Sequence, residues 1–341
     1  MHLPSCSLAA ALALPSLLSA SPEDEAARLK RLEARVAALE DELEQLHKSS
    51  DDALWWLRLQ DVAEVDKVTY VGPPNPKAEE SYGIVNARHP MKIHSYVFIP
   101  RKLDRSRKHP LIVLPHGGVH GDFGTYHVHI VREMVARGYV VVAPEYRGST
   151  GYGKGYRDAI DYGGLEVDDV VAGRDWAVEA LPFVDGGRCA LVGWSHGGMI
   201  SLLAACDHAA KFKAVYAGVP VSDLLARVGY AGEEYRDDRV VRSMFGKLPT
   251  EDVDLVKRRS PVTNVHRLKV PLMVVSTTND RDVNVVEVEH LLTALKAAGK
   301  EVNARIYKDA PGGHSFDRID TQVARQARQE MFAWLEKQLG N

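Results

Sequence analysis

The chain has 341 residues, enough for one large α/β domain with extensions and a substantial core. Its 45% hydrophobic and 26% charged residues are those of an ordinary soluble globular protein. A formal net charge of -3, with no Lys/Arg-rich run, excludes a broad basic field for nucleic acid, and the three cysteines, Cys6, Cys189 and Cys206, form no C-x-x-C pair that would suggest a metal or redox motif.

Residues 1–20 are mostly apolar and end in small residues ahead of Ser21-Pro22. They are expected to form a secretory signal peptide, too short to span a bilayer, and so to send the chain to an extracytoplasmic location, periplasmic or secreted, without stable membrane insertion. The leading segment lacks Lys and Arg, which keeps a cytoplasmic chain as the alternative. Residues 23–48 are rich in Ala, Glu, Leu, Lys and Arg and hold no Gly or Pro. Leu29, Leu32, Val36, Leu39, Leu43 and Leu46 alternate by three and four, the a/d seam of a coiled coil. Arg28 would meet Glu33, and Arg35 would meet Glu40, as g-to-e pairs between parallel strands. This pattern predicts a homo-oligomer through residues 29–46; the alternative is a single amphipathic helix packed on the main domain. Residues 49–81 read as a linker and docking segment. In it the adjacent Trp55 and Trp56 of "ALWWLRL" are both expected to dock, since indole rings are costly to leave in water.

From "DKVTYV" and "MKIHSYVFIP" onward, short apolar strands alternate with helical segments. The strands are "LIVLPHGG", "YVVVAPEYRG", "RCALVGWS", "FKAVYAGVP", "VPLMVVST" and "VNARIYKD"; the helices include "YHVHIVREMVARG", "DVVAGRDWAVEAL", "SLLAACDHAA", "VVEVEHLLTALKAAG" and "TQVARQARQEMFAWLEKQL". Such alternation predicts a mainly parallel central sheet with helices on both faces, spanning residues 82–341, whose ligands bind beyond the carboxyl ends of the strands. Residues 220–265, with Tyr230, Tyr235 and Phe245, are expected to insert a cap over the site.

Where "RCALVGWS" ends, the chain reads Gly193, Trp194, Ser195, His196, Gly197: a serine flanked two residues away on each side by glycine, where a strand turns sharply into a helix. A nucleophilic serine needs a base, and the base an orienting carboxylate. Asp280 follows "LMVVSTT", and His314 follows Gly312-Gly313 after "RIYKD", so the chain order Ser195, Asp280, His314 is that of an α/β-hydrolase fold. Asp282 and Asp309 are alternative carboxylates; Asp280 is favoured because it directly follows the strand and has Val283 as an apolar anchor. Donors for the developing oxyanion are expected at the His196 amide, at a helix start, and at Gly118 or Gly117 in "LPHGG". Tyr146, Trp194 and Tyr230 are assigned to substrate binding.

Together these residues resemble the catalytic domain of the prolyl oligopeptidase family of serine peptidases, especially its acylaminoacyl-peptidase and dipeptidyl-peptidase-like branches. The resemblance covers roughly residues 82–339 and rests on "HGG" at 116–118, "YRGSTGYG" at 146–153, "GWSHGG" at 193–198, "SP" at 260–261, Asp280 and His314. It implies an α/β-hydrolase fold and cleavage of peptide bonds by a Ser-His-Asp arrangement through an acyl-enzyme, without any cofactor or metal. Family members usually place a β-propeller ahead of this domain; here a helix of coiled-coil type precedes it, so peptide-length selection and exopeptidase behaviour do not carry over. His196 stands where many relatives have Tyr, which changes the side chain expected near the leaving group.

Three other readings compete. A carboxylesterase acting on small or sugar esters would use the same triad. Metal-dependent chemistry is suggested by His116, His120, His127 and His129, but His127 and His129 are two apart on a predicted helix and point to different faces, and no acidic residue completes a ligand spacing. A non-catalytic binding module tethered through the coiled coil is disfavoured because all three triad candidates are present.

Overall fold

The computed structural model of the chain describes residues 22–76, 90–232 and 238–340. The expected signal peptide and Cys6 lie outside the described residues, as does Tyr235. By its internal contacts the chain divides into two units, residues 1–42 and 43–341. Described by itself, the first unit consists, among its described residues, of helix.

That helix is part of α1, Pro22–Leu59. Ahead of the sheet's centre come β1, Ala63–Pro74, β2, Pro90–Pro100, β3, His109–Val113, α2, Val128–Ala136, and β4, Val140–Glu145. Then follow α3, Lys154–Arg157, α4, Leu165–Ala180, β5, Val184–Trp194, α5, His196–Asp207, and β6, Ala214–Gly218. The stretch expected to cap the site holds α6, Leu224–Tyr230, α7, Asp238–Phe245, α8, Val253–Arg258, and α9, Pro261–Asn264. The chain closes with β7, Leu272–Thr277, α10, Val285–Ala297, β8, Asn303–Tyr307, and α11, Gln322–Leu339.

The eight strands form one sheet in the order β1-β2-β4-β3-β5-β6-β7-β8. β1 with β2 and β2 with β4 are antiparallel, and every later pair is parallel. This is the mainly parallel sheet of an α/β-hydrolase fold, covered on both faces, which is why its central strands are apolar throughout. Side chains alternate between two cores. Leu111, Val113, Val140, Val142 and Leu191 face a layer that includes α4, α5 and α10. Ile112, Val141, Ala143, Ala190 and Val192 face the layer of α2, α11 and the end of α1.

Two expectations need correction. The strand expected at "DKVTYV" is longer, residues 63–74, and although it falls within the span 49–81 assigned to linker and docking segment it is an edge strand of the main sheet, in register with β2 from Ala63 opposite Pro100 to Tyr70 opposite Ile93. Nor does the chain break at Ser49–Asp52: α1 continues to Leu59. Of its paired tryptophans only Trp55 docks, fully buried against Tyr96, Phe98 and Phe123, while Trp56 stays 41% exposed. Consecutive helical residues point about 100° apart, so one contact face cannot take both rings. Among the described residues no helix is long and apolar enough to cross a membrane.

Candidate active site

Ser195 sits between the end of β5 and the start of α5 with φ 57° and ψ -122°, a conformation that L-residues rarely adopt. Backbone bonds over-determine it: Ser195 N donates to Gly218 O at 3.0 Å, and Ser195 O accepts from Met199 N at 3.0 Å and Val221 N at 3.2 Å. The flanking glycines are sterically required. A Cβ at Gly193 would collide with the Gly197 carbonyl oxygen, and one at Gly197 with the Pro115 carbonyl oxygen. Backbones can therefore approach closely only with glycine on both sides, which leaves the serine at the crest of the turn.

Asp280 and His314 reach the same edge from the ends of β7 and β8. The Asp280 Oδ1 accepts backbone N–H groups of Asp282 and Val283, both at 2.9 Å, and its Oδ2 lies 2.7 Å from His314 Nδ1. An ionised carboxylate can only accept, so Nδ1 carries the proton and Nε2 is left as the acceptor. Of the alternative carboxylates, Asp309 accepts instead from Thr278 Oγ1 at 2.9 Å, and Asp282 is exposed. His314 rides on a one-turn 3-10 helix, Gly313–Ser315, entered through Gly312 at φ 97° and Gly313 at φ 50°; a Cβ at Gly312 would strike Ile319. Phe316, fully buried against Tyr307, anchors the turn from below.

Ser195 and His314 share the wall of one cavity of about 680 Å³ with Gly117, Gly118 and Tyr230. Gly118 has φ 81°, and among the described residues neither Gly117 nor Gly118 donates a backbone hydrogen bond; His196, as the first residue of α5, has an amide with no partner inside its helix. A second depression, of about 760 Å³, borders Pro271, Asn303 and Trp334 at the amino ends of β7 and β8. That is the end of a parallel sheet opposite to the one where such folds bind ligands.

Three assigned side chains lie elsewhere. Tyr146 is fully buried, and its hydroxyl donates to the carbonyl oxygens of His116 at 2.9 Å and Gly118 at 3.1 Å, so it braces the glycine loop from behind. Trp194 is buried beneath the serine and donates through Nε1 to Asp317 at 2.6 Å. The His196 ring, expected beside a leaving group, is buried and stacked on Tyr162 at 4.7 Å, where burial pushes it well below the usual histidine range. For Trp194 and His196 the turn at Ser195 aims the neighbouring side chains inward while the serine aims outward. Of the cap residues, Tyr230 lines the cavity, whereas Phe245 packs edge-on against Tyr162 at 4.8 Å in the core.

The clustered histidines do not converge either. His116 Nε2 lies 2.8 Å from Ser149 Oγ, His120 Nδ1 lies 3.0 Å from Gly148 O, and His127 stacks on Phe123. Among the described residues, the one group of His, Cys, Asp and Glu with atoms close enough to surround an ion is Asp280, Asp282 and His314, in which the Asp280 carboxylate already meets His314 Nδ1 and the backbone amides of Asp282 and Val283.

Sequence reasoning missed the cavity's Tyr126, Arg227, Arg281 and Arg318, and it missed Asp317. Asp317 is fully buried and accepts from both Trp194 and Tyr216, tying the floor under the serine to the His314 turn. Its place three residues after His314 was visible, but nothing local says that this carboxylate turns inward.

The model of the prolyl oligopeptidase family matches residues 126–341. An uncharacterized peptidase of Bacillus subtilis, YuxL, is 28% identical over 72% of this chain and 37% of its own length. The acylamino-acid-releasing enzyme of Arabidopsis thaliana is 26% identical over 72% of this chain and 33% of its own length, so the chain spans about a third of the length of either relative. The structure of an acylaminoacyl peptidase from Pyrococcus horikoshii superposes with a TM-score of 0.68 at 21% identity, over 83% of this chain and 43% of that one, a likeness of fold. With its serine turn, its Asp-His pair and more than half its length matching the family model, the chain belongs to the prolyl oligopeptidase family.

Proposed function

We propose that this protein is a serine peptidase that cleaves peptide bonds through an acyl-enzyme. Ser195 attacks the carbonyl carbon while His314 Nε2 takes the hydroxyl proton, and Asp280 holds the imidazole in the tautomer that makes this possible. The Gly118 and His196 amides receive the oxyanion, assisted by the positive end of α5. His314 then returns the proton to the leaving amine, and water repeats the cycle to release the acyl group. The observation that carries this reading is the 2.7 Å contact from His314 Nδ1 to Asp280 on the wall that His314 shares with Ser195. The activities of the relatives named above favour amide over ester substrates.

The test pairs a fluorophosphonate probe with aminoacyl-nitroanilide, acyl-peptide and nitrophenyl-ester substrates. Wild-type protein should be labelled and should turn over the amides, and Ser195→Ala should lose both, by about 10⁴-fold or more in kcat. Labelling that persists in Ser195→Ala removes Ser195 as nucleophile, and turnover of esters alone makes the protein a carboxylesterase.

We further propose that two copies pair in parallel through the seam of α1. Leu29, Leu32, Val36, Leu39, Leu43 and Leu46 are each at least half exposed, an apolar stripe unusual for a face meant for water. The charges beside it, Arg28 with Glu33 and Arg35 with Glu40, are complementary across a second copy of this chain.

A further inference from the structure

Resting on the reading of Gly118 as an oxyanion donor, we propose that Lys48 and Asp51, on α1, are positioning residues for the reaction, because they clamp the loop that carries this donor. The loop from His116 to Gly124 contains Gly117, Gly118, Gly121 and Gly124 and forms no helix or strand. An oxyanion donor works by being held in place before charge develops, and a chain this rich in glycine cannot hold itself. Its own bonds are few: Gly121 N to Gly118 O at 3.3 Å, with Thr150 N donating to Gly121 O at 3.0 Å.

Tyr146 holds the His116 and Gly118 carbonyls from behind and Gly148 O meets the His120 ring, whereas the stretch from Asp122 to Thr125 is held from α1. Lys48, 3% exposed, donates to Asp122 Oδ2 and to the Phe123 carbonyl oxygen, both at 3.1 Å, and forms a buried ion pair with Glu145 at the end of β4. Glu145 in turn accepts from Phe123 N at 3.1 Å and lies 3.5 Å from His116 Nε2. Asp51 accepts from Thr125 N at 2.8 Å and from Thr125 Oγ1 at 2.5 Å. Trp55 stacks on the Phe123 ring with centroids 5.2 Å apart. Both backbone groups of Phe123 and the amide of Thr125 are thus spoken for by charged side chains, with Lys48 joining the helix to the loop and to the strand behind it. Charge-assisted bonds of this kind are the ones that fix geometry rather than merely fill space. Burial would lower the Lys48 pKa, but Glu145 and Asp122 raise it overall, so the clamp stays charged.

The test uses the full-length chain with Asp51→Asn and Lys48→Met. Removing an oxyanion donor outright costs about 10²–10³ in kcat, so loosening its support should lower kcat about tenfold or more while KM stays within about twofold. A purely structural role would lower the melting temperature without that split. Hydrogen exchange gives a readout independent of turnover: amides in residues 116–125 should exchange at least about tenfold faster in the variants, with β5 and β7 unchanged. A folded variant with wild-type kcat and wild-type protection of this loop overturns the proposal. If Lys48→Met leaves Glu145 unpaired and fails to fold, Asp51→Asn, at a half-buried site, decides alone. If wild-type protein shows no Ser195-dependent turnover, the catalytic reading falls, and unchanged exchange in Asp51→Asn would overturn the clamp separately.

Discussion

At Ser195 the left-handed backbone and the glycines at 193 and 197 are one fact: the turn exists only because two carbonyl oxygens occupy the space where β-carbons would stand. Behind it, residues that look functional in sequence serve as supports. Glu166 joins these supports although nothing in the sequence singled it out. It is fully buried at the start of α4, accepts from Gly164 N at 3.1 Å and from Gly163 N, and lies 3.6 Å from His196. Burial first, then the charge of Asp161, pushes Glu166 up to about 8 from its ordinary 4.5. Between those values the folded protein holds a proton that the unfolded chain has released, so this residue makes stability fall as pH rises through that window. His196 acts in the opposite sense: its value is depressed by burial, so the unfolded chain binds the proton below about 6.5 and stability falls with acid. Glu166→Gln should therefore lose less stability than wild type between pH 5 and pH 8.5 in denaturant titrations, since the amide that replaces the carboxyl takes up no proton in this window. Parallel pH profiles would refute this account.

At the scale of elements, every strand and long helix placed by pattern in the main domain is present, because burial on both faces writes a continuous apolar run into each central strand. The edges read less well. β1 is half exposed, with no such run, so its pattern shows only the stretch 66–71, and the expected main domain begins after it, at residue 82. α1 carries two different jobs along one helix, an exposed apolar stripe and then a docked end, so a single periodicity could not describe it. The two tryptophans separate these influences. Trp55→Ala should cost about 3–5 kcal/mol by emptying a site ringed by Tyr96, Phe98 and Phe123, whereas Trp56→Ala should change stability by no more than about 0.5 kcal/mol. Equal losses in urea unfolding would mean that α1 docks through another face.

At the scale of the whole molecule, the seam of α1 predicts that the protein is not alone in solution. Sedimentation equilibrium at micromolar concentration should return a dimer, and Leu32→Glu with Leu39→Glu should return a monomer, since like charges at neighbouring seam positions cannot be desolvated together. A monomeric wild type would leave the stripe without the second copy we assign to it. Catalytic constants of the monomeric variant should match wild type, because the described residues that line the cavity around Ser195 all fall between Gly117 and Arg318 of the main domain.

The sequence by itself determined the fold class and the residues able to do chemistry, since strand runs, glycine spacing and chain order are local or ordinal properties. It also favoured Asp280 over Asp282 and Asp309 as the carboxylate beside His314, while the approach of the Asp280 Oδ2 to the imidazole belongs to the tertiary structure. Tertiary structure alone decided that Tyr146, Trp194 and the His196 ring turn inward, that Asp317 and Glu166 are buried, and that Lys48 reaches across to Phe123. Which way a side chain faces at a sharp turn, and which distant backbone it meets there, depends on elements far away in the chain. No window of sequence contains both partners of such a contact.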